Sequence, residues 1–158
     1  MPECRRPSSR TSWIAAATLL VGVATASLGH AALSAEMAKQ LGETQYVYMQ
    51  SQRKDGSFGA AAEIWFSFRD GVVYVASKKT SWRVRRLQAG RKAVKIHAFM
   101  PSGPAFEASG EIVKDPEAWK AFFAALAKKY PDGWASHEKV FREGSADGSY
   151  LLIRYTPK

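Results

Sequence analysis

A basic segment in the middle of the chain carries the residue types best suited to chemistry. Residues 78–95 contain eight lysine and arginine side chains and no acidic one. The stretch 81–87 (SWRVRRL) predicts a short helix capped by Thr80 or Ser81, on which Arg83 and Arg86 share one face. Hydroxyls, guanidinium groups and the free N–H groups at a helix start are donors that bind phosphate. The segment therefore predicts a phosphate site.

Two other interpretations fit the same charge. The simpler one is a solvated basic face that binds no ligand. A nucleic-acid groove has less support, because Trp82 is the single aromatic residue in the segment and single-strand binders interleave aromatic with basic side chains. We therefore expect no nucleic-acid partner. No nucleophile stands beside a base along the sequence, so any redox chemistry is expected to come from a bound cofactor.

The amino-terminal residues have the composition of an export signal. Residues 1–11 include three arginines, and residues 11–35 carry no charged side chain and are rich in alanine, leucine and valine. This pattern predicts a signal peptide over residues 1–35, with cleavage after Ala31 or Ala35. The alternative is an uncleaved membrane anchor, since about 20 apolar residues span a bilayer. Two of the arginines are adjacent, which leaves the twin-arginine export route open.

The composition of the remaining chain suits an exported domain. The one cysteine among the 158 residues, Cys4, lies in the predicted signal, so the mature part has none, which fits an oxidising compartment. A lone cysteine also excludes a disulfide framework and a zinc site built from cysteines. From Glu36 onward there are 20 basic and 13 acidic residues. We expect a periplasmic or secreted protein that meets a membrane only if its signal stays uncleaved.

Residues 42–158 are predicted to form one mainly β domain. Apolar runs rich in aromatic and β-branched residues are typical of strands, and Asp70-Gly71 is a strong signal for a two-residue hairpin turn. Six such runs follow one another at residues 44–52, 58–68, 72–77, 92–100, 105–113 and 150–155. Together with one long covering helix, this order predicts a six-stranded antiparallel β-barrel.

The covering helix is predicted to begin after Asp115. Asp115 suits the N-cap and Pro116 suits the first helical position. One face of this helix carries large apolar side chains at helical spacing, which we interpret as core packing: Trp119, Phe122, Phe123, Leu126 and Tyr130. The run Pro131-Asp132-Gly133 is predicted to end the helix. His137 would then lie at the surface in a loop or weak helix.

The order of these motifs resembles the pyridoxamine 5′-phosphate oxidase-like family, the FMN-binding split β-barrels. The matching elements are the strand V-V-Y-V-A-S after Asp70-Gly71, the helix W-R-V-R-R-L and the following G-R-K-A-V, and the likeness extends over nearly all of residues 42–158. The resemblance implies a split β-barrel, a homodimer and an FMN-dependent oxidoreductase. Its small-molecule substrate or electron donor is unidentified.

The resemblance also implies where the cofactor binds. In such proteins, serine and basic residues after the third strand hold the flavin phosphate, and a neighbouring strand lies along the isoalloxazine ring. The phosphate positions correspond to Ser77, Lys79, Ser81 and Arg83, with Arg86 as a fifth candidate. The strand beside the ring corresponds to Ile64, Trp65 and Phe66.

Two other cofactors are alternatives within the same superfamily. A deazaflavin coenzyme has a long anionic tail, for which Arg85, Arg91 and Lys92 are available. Haem would need a ligand such as His97 or His137. The Arg-x-His element with which the true oxidase binds its substrate has no match near the carboxyl terminus. Vitamin B6 oxidation is therefore not expected.

Overall fold

The structure, a computed structural model, describes residues 33–158, and the predicted signal peptide lies almost entirely outside them. In this part of the chain the helices are Ala35–Glu43 (α1), Trp82–Gln88 (α2), Pro116–Lys129 (α3) and Pro131–Asp147 (α4). The strands are Val47–Ser51 (β1), Ala62–Ile64 (β2), Ser67–Arg69 (β3), Val72–Lys78 (β4), Ala93–Ala98 (β5), Ala105–Val113 (β6) and Tyr150–Pro157 (β7).

The seven strands form one antiparallel sheet in the order β2-β1-β5-β6-β7-β4-β3. Strands β2 and β3 are its two edges, yet only Trp65 and Phe66 lie between them along the chain. A connection of two residues spans no more than about 11 Å. The sheet must therefore curl until its edges approach each other. This confirms the split β-barrel expected from the sequence.

The barrel has one strand more than predicted, because residues 58–68 do not form a single strand. β2 pairs with β1 at one edge of the sheet, and β3 pairs with β4 at the other. Between them, Phe66 packs into the barrel interior and Trp65 packs into the outer helical layer. The chain thus passes from one edge to the other, where an unbroken strand would have stayed at one edge.

The barrel interior is an apolar core built from alternate residues of the strands. Side chains such as Val75, Ile96 and Tyr155 point inward and are almost fully buried. Val84 and Leu87 of α2, three residues apart and hence on one face of the helix, also point into this core. Helix α1 adds apolar side chains to this core, so residues before the predicted domain start at residue 42 also pack on the barrel. The interior is therefore filled by side chains.

A second apolar layer covers the outer face of β4 and β7. Leu152 and Tyr74 alternate with the inward residues of these strands and pack against α3 and α4. Two long helices thus cover the barrel, where the sequence predicted one. Pro131 stands at the first helical position of α4 and does not end the helical region, and Asp132 follows in its first turn. Helix α4 ends where Gly148 adopts a left-handed backbone, at φ 74°.

Two local predictions near the site are confirmed. Asp70 and Gly71 both have positive φ, at 54° and 74°, as a tight turn between β3 and β4 requires. Ser81, one of the two predicted caps, caps α2, and its hydroxyl oxygen accepts a hydrogen bond of 3.3 Å from the amide of Val84. Within residues 33–158, no helix is long and apolar enough to cross a bilayer.

Candidate functional site

The end of β4 and the first turn of α2 bring three of the predicted phosphate residues together. Ser77 is buried near the end of β4, and its hydroxyl oxygen accepts a hydrogen bond of 3.0 Å from Nη1 of Arg83. Ser81 begins the helix that carries Arg83. The tight connection between strand and helix therefore places two hydroxyls and one guanidinium group around the same point.

Arg83 is an unusual arginine because it is partly buried and has no acidic partner among the described residues. Burial lowers the pKa of its guanidinium group, which nevertheless stays charged at neutral pH. Within residues 33–158 it forms no ion pair with a carboxylate. Its Nε atom and the hydroxyl of Tyr155 are both buried without a hydrogen-bond partner in the same residues. A buried, uncompensated cation with a free donor favours the binding of an anion.

Two cavities meet at Ile64, Ser81 and Arg83. We call the first the aromatic cavity; it has a volume of about 370 Å³ and is lined by Glu63, Ile64, Trp65, Ala76, Ser77, Lys78, Ser81, Arg83, His137, Phe141 and Tyr150. We call the second the arginine cavity; it has a volume of about 520 Å³ and is lined by Met49, Ser51, Arg53, Ala60, Ala62, Ile64, Ser81, Trp82, Arg83 and Arg86.

The wall of the aromatic cavity is held by α3 and α4. The Trp65 ring stacks on Tyr130, with ring centroids 4.4 Å apart, and its other contacts include His137 at 4.9 Å. Gly133 allows this approach, because a Cβ atom there would lie 2.8 Å from Cη2 of Trp65. The Tyr130 hydroxyl accepts a hydrogen bond from the amide of Phe66 and donates to the carbonyl of Gln45. The Trp65 indole is thus held by its contacts with Tyr130, Gly133 and His137.

The arginine cavity is positioned by contacts between α2 and β1. Nη1 of Arg86 donates hydrogen bonds to the carbonyl and the hydroxyl oxygen of Ser51, at 2.9 and 2.8 Å. Gly59 leaves room for this guanidinium group, because a Cβ atom there would lie 2.7 Å from Nη1. Arg86 therefore has a fixed position in the cavity wall, and part of its donor capacity is already used by the protein.

The structure separates the predicted site residues into two groups. Ser77, Ser81 and Arg83 converge, Ile64 lies beside them and Trp65 lines the aromatic cavity. Three others lie elsewhere. Lys79 is exposed and outside both cavities, Phe66 is buried in the barrel core with its amide bonded to Tyr130, and Arg86 borders the arginine cavity only.

The two histidines considered as haem ligands differ in availability. His97 is 8% exposed, and its two ring nitrogens lie 3.0 Å from the carbonyl oxygen of Gly103 and 3.0 Å from Oε1 of Gln50. His97 on β5 therefore links β1 to the turn that precedes β6. His137 lines the aromatic cavity, with Nδ1 at 2.9 Å from the carbonyl oxygen of Gly133. Its Nε2 atom makes no hydrogen bond within residues 33–158.

Sequence reasoning missed the contribution of α4 and of Lys78. Lys78, the last residue of β4, lines the aromatic cavity, whereas its exposed neighbour Lys79 lies beyond the strand and outside the cavity. Phe141 was missed because Pro131-Asp132-Gly133 was interpreted as the end of helical structure. The spacing of Trp134, His137 and Phe141, at intervals of three and four residues, is the signal that could have identified α4.

The fold is similar to that of several solved structures, although no protein-family model and no curated protein matches the chain by sequence. A conserved hypothetical protein from Mycobacterium tuberculosis is 17% identical with a TM-score of 0.61, over 80% of this chain and 81% of that chain. The haem storage protein HutZ from Vibrio cholerae is 14% identical with a TM-score of 0.59, over 80% and 91% of the two chains.

A third similar structure comes from the family that the motifs resemble. It is a protein of the pyridoxinephosphate oxidase family from Clostridium acetobutylicum, related to general stress protein 26 of Bacillus subtilis. It is 15% identical with a TM-score of 0.54, over 77% of this chain and 81% of that chain. The resemblance to the split β-barrel proteins of this type is thereby confirmed at the level of fold.

Proposed function

We propose that the protein binds FMN and acts as an FMN-dependent oxidoreductase. The observation that carries this proposal is the buried guanidinium group of Arg83, which has two serine hydroxyls beside it and no carboxylate partner in the described chain. A phosphate monoester matches this donor set in charge and in hydrogen-bond capacity. The fold supports the proposal, because a protein of the pyridoxinephosphate oxidase family shares it.

The residues around Arg83 fit a flavin that carries a phosphate. Arg83, Ser77 and Ser81 would hold the phosphate, with Lys78 adding positive charge at the cavity wall. The ring would lie by Ile64, at an edge strand of the sheet, and would not use the amide of Phe66, which is bonded to Tyr130. Bound FMN would supply two-electron redox chemistry, and the chain would bind and orient it.

The test compares FMN with riboflavin, which lacks the phosphate. Quenching of flavin fluorescence gives both dissociation constants. We expect FMN to bind more tightly, and we expect Arg83→Gln to weaken FMN binding about tenfold to a hundredfold with riboflavin binding unchanged, because hydrogen bonds to charged groups contribute about 1.5–3 kcal/mol. Thermal unfolding followed by circular dichroism verifies that the variant is folded.

Arg85→Gln is the matched control for this experiment. Arg85 lies on the same helix, is exposed, and packs over the ring of Trp82 instead of lining the aromatic cavity. Its loss removes the same charge at a similar position in the sequence. Equal binding of FMN and riboflavin to the wild-type protein, or equal losses in the two variants, would contradict the proposal.

Haem binding is a second candidate, favoured by the position of His137. This histidine lines the aromatic cavity, its Nε2 atom has no hydrogen-bond partner in the described part of the chain, and the haem storage protein HutZ shares the fold. Addition of haemin would then give a sharp Soret band that His137→Ala abolishes. His97→Ala is the comparison, since both of its ring nitrogens already have partners. A Soret band that survives His137→Ala would reject this candidate.

We also propose that the protein is exported and forms a homodimer. The charge pattern of residues 1–35 and the absence of cysteine after Cys4 support export. The edge strand β2 and the exposed Trp82 border the site, and they support its completion by a second subunit. Mass spectrometry of the secreted form would locate the cleavage, and light scattering would give the number of subunits. A cytoplasmic monomer of full length would contradict both.

A further inference from the structure

The arginine cavity holds more positive charge than one phosphate needs. Arg53, Arg83 and Arg86 line it, and none of its lining residues is acidic. Within residues 33–158, none of these three arginines forms an ion pair with a carboxylate. The nearest acid along the chain to Arg53, Asp55, accepts hydrogen bonds from the amide and hydroxyl of Ser57. The cavity wall itself therefore carries no acidic side chain, although the exposed Asp55 lies near Arg53.

One of these charges, on Arg86, has a fixed position, and a second, on Arg53, makes one exposed hydrogen bond. Nη1 of Arg86 is bonded to Ser51, and only a residue without a side chain fits at Gly59 beside it. Arg53 stands at the turn after β1, where its Nη1 donates a 3.3 Å hydrogen bond to the hydroxyl of Ser57. A guanidinium group whose position is fixed binds an anion with a smaller loss of conformational entropy.

A flat apolar surface stands at the rim of the same cavity. The Trp82 side chain is 70% exposed, although it is among the largest apolar groups in the chain. The guanidinium carbon of Arg85 lies 5.3 Å from the centroid of its ring. An exposed indole next to fixed arginines offers stacking to a planar group that bears an anion.

We propose that the arginine cavity is a second anion subsite, which binds the remote phosphate and the base of a dinucleotide whose first phosphate is held at Arg83. This inference rests on the proposed phosphate site and extends it. The two cavities share Ser81 and Arg83, so a ligand anchored there can pass from one cavity to the other. A mononucleotide would occupy the first phosphate position only. The site that holds the FMN phosphate would accordingly bind a flavin dinucleotide such as FAD more tightly than FMN.

The test measures the affinities of FMN and FAD by fluorescence titration, and of AMP and ADP by calorimetry, on the full folded protein. We expect FAD to bind about tenfold more tightly than FMN, and ADP more tightly than AMP, because one additional charged contact changes affinity by about this factor. Arg53→Gln should remove both preferences and leave FMN affinity within about twofold of the wild type. Lys54→Gln is the control, since Lys54 is the next residue in the same turn and lies outside the arginine cavity.

Substitutions of Trp82 separate stacking from charge. Trp82→Phe should retain most of the FAD preference and Trp82→Leu should lose it, because phenylalanine keeps an aromatic face. If FMN binds as proposed but FAD binds no more tightly, the second subsite is rejected and the proposed function stands. If neither flavin binds but ADP binding depends on Arg53, the subsite stands and the proposed function fails. If Trp82→Leu changes only the number of subunits, Trp82 belongs to a subunit interface and the stacking role is rejected.

Discussion

The two cavities that meet at Arg83 are built by different kinds of contact. The arginine cavity takes most of its charge from α2 and from the turn after β1, and its arginines are held by hydrogen bonds. The aromatic cavity is closed by α3 and α4, through ring stacking and through hydrogen bonds from Tyr130 to residues 64 and 85 positions away. The arginine cavity is therefore positively charged and largely fixed by α2, and the aromatic cavity depends on tertiary packing of distant segments.

This difference explains how a small domain can combine a charged site with a stable core. The guanidinium groups stand at the rim of the barrel, and the apolar clusters occupy its interior and its outer helical face. Substitutions in the helical layer should reduce stability, while substitutions in the arginine cavity should reduce ligand affinity. The following variants test that separation.

Removal of the Tyr130 hydroxyl should have the largest effect on stability. Tyr130→Phe leaves the buried amide of Phe66 without its acceptor and the carbonyl of Gln45 without its donor. We expect the free energy of unfolding to fall by about 2–4 kcal/mol, since the unsatisfied buried amide of Phe66 costs about 1–3 kcal/mol and the lost hydrogen bond to the exposed residue Gln45 about 0.5–1.5 kcal/mol. Urea unfolding followed by tryptophan fluorescence measures this loss.

Tyr46→Phe is the matched control for the hydroxyl. The Tyr46 ring stacks on Tyr130 at a centroid distance of 6.1 Å, and its side chain makes no hydrogen bond within residues 33–158. The substitution should therefore change the free energy of unfolding by less than about 1 kcal/mol. Equal losses in the two variants would mean that the hydrogen bonds of the Tyr130 hydroxyl are not what stabilises the aromatic wall.

The same distinction shows which parts of the site could be predicted from sequence. Ser81, Arg83 and the inward Val84 follow from a cap and a helical period within seven residues, so local patterns identify them. The break at Trp65 and the contacts of α4 were missed, because they depend on where distant segments pack. The signals Asp70-Gly71 and Asp115-Pro116 are local as well, and both were interpreted correctly.

The roles of Arg86 and Lys79 show the limit of motif transfer. The motif places both in a basic segment, but only the folded chain shows that Arg86 reaches across to Ser51 on β1. Lys79 follows the last residue of β4, and only the folded chain shows that it lies outside the cavity that Lys78 lines.

Two glycines allow one cavity to be changed at a time. Gly59→Ala would place a Cβ atom 2.7 Å from Nη1 of Arg86, and Gly133→Ala would place one 2.8 Å from Cη2 of Trp65. We expect Gly133→Ala to lower the free energy of unfolding by about 1–3 kcal/mol, because the packed indole must move. We expect Gly59→Ala to lower it less, because a guanidinium group at the end of a flexible side chain can shift.

For the relative affinity of FAD and FMN, we expect Gly59→Ala to have a larger effect than Gly133→Ala. Gly59→Ala displaces Arg86 from Ser51, so we expect the FAD preference over FMN to decrease by about threefold to tenfold. Gly133→Ala leaves the arginine cavity intact and should preserve the ratio of the two affinities. Gly56→Ala, in the turn after β1, is unsuitable as a control because Gly56 has φ 85°. A Cβ atom at Gly42 would meet open space, so Gly42→Ala is the control for both the stability and the binding measurements.

The smallest expected effect concerns Lys129, which lies behind the aromatic wall. Its Nζ atom is 3.4 Å from the centroid of the Phe66 ring, and burial lowers the pKa of Lys129 to about 8. Between about pH 8 and pH 10.5 the folded chain has released a proton that the unfolded chain still binds, so the free energy of unfolding rises with pH there. The rise should stay below about 1 kcal/mol, because the side chain is only partly buried and solvent screens its charge.

The measurement is the difference in unfolding free energy between the wild type and Lys129→Met at pH 7 and at pH 10. Methionine cannot titrate, so the wild type should gain stability relative to the variant as the pH rises. Lys128→Met provides the reference, since Lys128 is the exposed neighbour on the same helix and its variant should keep a constant difference from the wild type. A constant difference for Lys129→Met as well would show that Lys129 is as well solvated as Lys128, and that the helical layer leaves the back of the aromatic wall open to water.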